Sequence, residues 1–223
     1  LRIHGRNSMT WDDDREAASF VNPKDPTVLL FSKNTAGMIR ESSTDPINLN
    51  LKIAMGIFEA LRAYGMSYVI DPDSSYIELS EEEDAIDTLL FPAESLTYRA
   101  GDCDDLSILY ASLLESVGIE TAFITIPGHI YLTFNLGLTE EEARAEFTSL
   151  ADFLFIDGEA WVPVETTLIP DGFMKAWRIG ARQWRDASTK GTANIFPVHD
   201  AWAMYETAPT QTPPLSLVFP SRE

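Results

Sequence analysis

The run "GDCDDLSILYASLLESVGIETAFITIPGHIYLTF" (residues 101–134) constrains the fold more than any other part of the chain. Leu106, Leu109, Tyr110, Leu113, Leu114 and Val117 recur at helical spacing, and Gly118 is a natural helix stop. The pattern then changes at once to two strand-like runs, TAFITIP and HIYLTFNL, bent at Pro127-Gly128. "FLFIDGEAWVPVET" follows as a β-hairpin about Asp157-Gly158, a favoured two-residue turn.

The chain before this unit reads as helical. A short helix is expected around Pro26–Met38. Residues 47–64 form an amphipathic helix with Ile47, Leu51, Ala54, Met55, Phe58 and Leu61 near one stripe and Gly65 at its close. "MSYVI" reads as a short strand and "DPDSS" as a loop. "SEEEDAIDTLL" reads as a helix opened by a capping box, Ser80 with Glu83. After the histidine-bearing strand, Thr139 and Glu142 form a second capping box for a helix near 140–150. Residues 173–185 set Phe173, Ala176, Trp177, Gly180, Ala181 and Trp184 on one face, a stripe suited to core packing. The tail from about 206 is Pro-rich and extended. Helices followed by a central helix and a largely antiparallel sheet make the class α+β. The expectation is one domain over 1–223, its core at about 47–185, with 1–46 and 186–223 as accessory segments wrapping it.

Composition narrows the function. With 45% hydrophobic and 23% charged residues the chain can bury a globular core. No stretch approaches the roughly 20 apolar residues of a membrane span. A formal charge of −19 disfavours nucleic acid, and the sequence shows no evident local cluster of Lys and Arg. One cysteine allows no internal disulfide, and with three histidines a dedicated zinc site is not expected. Leu1 opens the chain without a leader, so it is read as a mature form or a piece of a longer protein, whose other domains are candidate partners. The compartment stays open, an extracytoplasmic one in a bacterium included.

The lone cysteine sits where a thiolate is best supported. Asp102 can cap the helix N-terminus, placing Cys103 in a first turn whose free amide N–H groups favour a negative charge. His129 lies one helix and one strand downstream, where a strand returning beside that N-terminus could supply a base. Glu165, on the outgoing strand of the later hairpin, suits the carboxylate that orients the imidazole. Asp157 is the rival, but its turn position is too exposed to hold a ring.

This ordered set resembles the core of the transglutaminase-like superfamily: Gly-x-Cys opening a helix, a Gly-Ile after it, a strand bearing His, and "WVPVETT" in place of the superfamily's Trp-x-x-x-Asp-x-Thr strand. The match covers about residues 97–167. It implies a papain-like fold and acyl transfer with Cys103 as nucleophile, His129 as general base and acid, and Glu165 as the third member. Glu replaces the usual Asp, and the stretch between His and acid is long. The Cys103 amide is one expected oxyanion donor, and Tyr98 or Tyr76 are candidates for the second. "DCDD" is similar to the "DCED"-type stretch of bacterial transglutaminase-like cysteine proteinases, in which flanking acids bind calcium. By that resemblance Asp102 and Asp104 are calcium candidates, with capping and solvation as the default. The expected activity is hydrolysis of amide bonds in a protein or peptide substrate. Cross-linking through the same acyl-enzyme and a binding module with a silent site are the alternatives.

Overall fold

The computed structural model describes residues 7–42, 47–70 and 86–208. It is an α+β protein. Strand β1 (Ser8–Met9) and a 3-10 helix (Asp14–Phe20) lead into α1 (Pro26–Ser42) and α2 (Leu49–Tyr64). Strand β2 (Ser67–Tyr68), β3 (Asp87–Thr88), α3 (Pro92–Tyr98) and β4 (Ala100–Gly101) precede the central helix α4 (Cys103–Glu115). Then come β5 (Thr121–Ile126), β6 (His129–Thr139), α5 (Glu140–Glu146), β7 (Leu154–Ile156), β8 (Glu159–Val164), a 3-10 segment (Thr166–Asp171), α6 (Phe173–Lys190), β9 (Asn194–Pro197) and α7 (Val198–Trp202). Among the described residues, no helix is long and apolar enough to cross a membrane.

Every residue of α4 from Cys103 to Leu114 is buried, the state expected of a helix with hardly a polar face. Its interior serines remain satisfied by bonding back along the helix, Ser107 Oγ to Cys103 O at 2.6 Å and Ser112 Oγ to Ile108 O at 2.8 Å. Helices α1 and α2 and strands β5 and β6 all pack against α4. The main sheet has the order β7-β8-β6-β5-β9, every pair antiparallel. Alternation divides its side chains: Phe123, Ile130, Leu132 and Phe134 join the core around α4, while Ala122, Ile124, Tyr131 and Trp161 form a second cluster with Trp184 of α6 packed on it.

Most local signals produce the expected elements. The β7–β8 hairpin turns at Asp157 (φ 50°) and Gly158 (φ 84°), the paired left-handed residues of a two-residue hairpin turn. Thr139 and Glu142 make the expected capping box, though α5 ends at Glu146, short of 150. Helix α2 begins at Leu49 behind an Asn48 cap, leaving Ile47 52% exposed rather than on the buried stripe. Phe173 meets Phe58 edge-on at 5.6 Å, and Trp177 meets Phe153 at 5.3 Å, so this part of the α6 stripe is core.

One stretch differs from expectation. The helix read from SEEEDAIDTLL does not cover Asp87–Thr88, which forms β3 and pairs with Ser8–Met9; Ser80 and Glu83 lie outside the described residues. A partner strand distant in sequence supplies the ladder that local propensity did not announce. Beyond residue 186, Asn194–Pro197 joins the sheet against β5, and Val198 and Ala201 enter the core. Toward the N-terminus, Val28, Phe31 and Ala36 of α1 enter it as well.

Helix α6 also approaches β8 at backbone distance. A Cβ on Gly180 would lie 2.9 Å from Pro163 O and 3.0 Å from Glu165 N, so glycine is needed for this contact. The Glu165 amide donates to Ala176 O at 3.1 Å. The end of β8 is thereby held from the helix side.

Candidate active site

The site lies where α4 begins and where β6 and β8 present adjoining ends. Asp102 is the N-cap of α4, its side chain accepting from the Asp105 amide at 3.3 Å. Cys103 follows in the first turn as expected. Gly101 is fixed by crowding: a Cβ there would stand 2.6 Å from Asp105 Cβ. The Gly-x-Cys spacing therefore has a local steric reason.

His129 opens β6 at the Pro127-Gly128 turn, and Glu165 follows the last residue of β8. The register sets Leu132 opposite Val164, which brings the strand ends together. His129 Nε2 lies 2.6 Å from Glu165 Oε2. Glu165 is buried, while one-fifth of the His129 side chain is exposed. The other carboxylate oxygen accepts from Thr167 Oγ1 at 2.7 Å and from its amide at 3.2 Å. Burial alone would raise the Glu165 pKa. The bond to His129, its charge and the two Thr167 donors outweigh burial and hold the carboxyl below its usual range. Asp157, the rival acid, is exposed at its turn and lines a separate cleft with Glu120, Glu159 and His199.

The backbone amides of Ile130 and Asp104 face the Cys103 thiol and favour its thiolate, so it lies beside the residue that follows His129. Its ionisation is opposite to the sequence expectation. Burial, then the Asp102 charge, push the thiol up to about 12, and Glu165 adds to this against the two amides. Free amides at a helix start favour a thiolate, but desolvation of a buried sulfur beside two carboxylates is the larger effect.

The three aspartates differ in their duties. One oxygen atom from each of Asp102, Asp104 and Asp105 lies within 4.8 Å of the other two. Asp105 is engaged on both oxygens, taking the Leu90 amide at 2.7 Å and the Asp102 amide at 3.4 Å. Asp104 Oδ1 takes the Asp105 amide at 2.6 Å, whereas its buried Oδ2 has no hydrogen-bond donor. Burial, followed by the neighbouring Asp102 carboxylate, raises the Asp104 carboxyl well above the carboxylate range. Burial and the Asp102 charge do the same to Asp105. Such a group keeps its proton or takes a cation. An all-oxygen set with one orphaned buried oxygen has the chemistry of a hard-cation site.

Sequence reading missed Tyr68. Its phenol lies in the field of Cys103, Asp102, Glu165 and Asp104, and burial first, then those charges, push it up to about 12. Of the residues proposed as a second donor, Tyr98 is 65% exposed at the end of α3, and Tyr76 lies outside the described residues. Nothing in the spacing of "MSYVI" marks Tyr68, because the parallel pairing of β2 with β4 brings it in. Thr167 was visible only as the last residue of the Trp-x-x-x-Glu-x-Thr pattern. Cavities of about 520 Å³ between α1 and α2, and about 560 Å³ beside Trp202, contain none of these side chains.

No protein-family model matches the chain, and a search of curated proteins finds no relative. The function is therefore read from the site itself.

Proposed function

We propose that the chain is a thiol-dependent acyl-transfer enzyme with a papain-like, transglutaminase-like core, hydrolysing amide bonds of a protein or peptide substrate. The observation that carries this is the 2.6 Å pair of His129 and Glu165, at the strand end whose next amide faces the Cys103 thiol. With Nε2 engaged by Glu165, His129 keeps Nδ1 for the thiol proton. That proton passes to His129 as Cys103 Sγ bonds to the substrate carbonyl carbon, and the buried carboxylate stabilises the imidazolium. The C–N bond breaks as His129 returns the proton to the departing amine. Water then gives a proton to the ring and attacks the thioester, releasing the acid and restoring the thiol. The Cys103 amide is positioned in sequence to face the oxyanion, with the Tyr68 hydroxyl as side-chain donor. A phenol pushed up to about 12 stays protonated, and so able to donate, at neutral pH.

Asp102 and Asp104 would hold calcium, with Asp105 beside them; the bound ion supplies positive charge near a thiol that Asp102 otherwise disfavours. Cross-linking would differ only in the acceptor, an amine replacing water. A binding module with a silent site is a second reading, favoured by the burial of Cys103 and its raised thiol.

The test is iodoacetamide labelling of Cys103 against pH in the native chain, the unfolded chain, His129→Ala and Glu165→Gln, with and without calcium. Labelling near neutral pH that depends on both side chains supports the enzyme. Native labelling that rises only in the range of a lone thiol and ignores both substitutions supports the binding module. Incorporation of a labelled primary amine into a protein substrate separates the cross-linker from the hydrolase.

A further inference from the structure

Cys103 and Glu165 belong to different layers, one on the central helix and one at the end of a strand. His129 and Glu165 are held to each other by the β6–β8 ladder. The helix start lies outside that ladder and meets these strands by packing.

A buried polar link crosses this gap. Ser107 Oγ donates to Cys103 O at 2.6 Å, and Ser107 Oγ lies 2.8 Å from Thr166 Oγ1. Ser107 and Thr166 are both 0% exposed. A serine hydroxyl has one proton, and here the Cys103 carbonyl takes it. Thr166 must therefore be the donor to Ser107. The chain runs from the Thr166 hydroxyl to the Ser107 hydroxyl to the carbonyl of the nucleophilic residue, and Thr166 directly follows Glu165. Hydrogen bonds arranged in one direction polarise and reinforce each other.

We infer that Ser107 and Thr166 are positioning residues that lock the Cys103 end of α4 to the Glu165 end of β8, setting the distance from thiol to imidazole. The inference rests on the proposed acyl-transfer reading. Neither residue touches the reacting atoms. Losing the link lets the helix start slide against the strand ends, and displacement by a fraction of an ångström costs on the order of tenfold in rate, since a misplacement of about 1 Å can cost 10²-fold.

The experiment uses the full chain and measures the His129-dependent part of Cys103 labelling against pH, defined by the difference from His129→Ala. Thr166→Val keeps the side-chain shape and removes the donor; Thr166→Ser keeps the donor. Ser107→Ala removes the relay in a residue well suited to a helix. Thermal unfolding of each variant is followed in parallel. The expected result is an approximately tenfold loss of the His129-dependent rate in Thr166→Val and in Ser107→Ala, with Thr166→Ser close to the parent. A lowered melting temperature with an unchanged rate and pH profile overturns the inference, as does a Thr166→Ser variant as slow as Thr166→Val. If Thr166→Val fails to fold, Ser107→Ala decides by the same criteria. A parent chain with no His129-dependent labelling defeats the acyl-transfer reading itself, a different outcome from a parent with such labelling and indifferent variants.

Discussion

His129 Nε2 and Glu165 Oε2 stand 2.6 Å apart, with the acid buried and held from its other side by Thr167. The carboxylate therefore faces donors on both oxygens, and its charged form is the one that folding favours. A depressed carboxyl pKa gives stability that is present above the ordinary glutamate range and lost as pH falls through the folded value. Glu165→Gln should destabilise the protein at neutral pH by about 1.5–3 kcal/mol, the range for a hydrogen bond to a charged group. The difference from the parent should shrink as pH falls below that range. Urea unfolding followed across acid pH checks both statements.

Cys103 is expected to be a poor nucleophile until its proton has somewhere to go. With the thiol pushed up to about 12, the calcium-free native chain at alkaline pH should label more slowly than the unfolded chain. The difference should be at least about tenfold, one pH unit of displacement being tenfold in thiolate. Because its folded pKa is raised, the buried thiol contributes stability below the unfolded value of 9.0 that is lost as pH rises toward about 12. Parallel labelling time courses in native buffer and in denaturant measure the rate difference.

Asp104 should report on the cation. Its carboxyl is raised by burial and by Asp102, so it stabilises the metal-free fold below the ordinary aspartate range and loses that contribution as pH rises through its folded value. Asp104→Asn should raise the calcium-free melting temperature at neutral pH by about 2 °C or more, roughly what 1 kcal/mol gives at this chain length. Calcium should raise the melting temperature of the parent and leave Asp104→Asn unmoved. Equal responses of the two proteins to calcium would remove Asp104 from any cation site.

Gly180 tests how the acid is carried. An added Cβ meets the backbone of Pro163 and Glu165 at 2.9–3.0 Å, and backbone cannot step aside as a flexible side chain can. Gly180→Ala should cost about 1–3 kcal/mol, as overpacking does. It should also slow His129-dependent labelling, because the strain falls on the Glu165 amide. Calorimetry and labelling of the same preparation give the two numbers.

Much of the fold was legible from local signals. The apolar spacing from Leu106 to Val117, the Thr139–Glu142 box and the Asp157-Gly158 turn each act within a few residues, where spacing and backbone preference suffice. The positions of Cys103, His129 and Glu165, at the start of a helix and the ends of two strands, are ones an ordered motif can mark. What the tertiary structure alone decided depends on partners far along the chain. Strand β3 exists because Ser8–Met9 pairs with it, and β9 because Ala122–Thr125 does. Tyr68 reaches the site through its pairing beside Gly101, and Thr166 meets Ser107 across 59 residues. The thiol shows the same division: sequence placed it at a helix N-terminus, which favours the thiolate, and packing buried it beside Asp102 and Glu165, which disfavours the thiolate more. Desolvation and charge act over ångströms in space, so only folded proximity could decide between them.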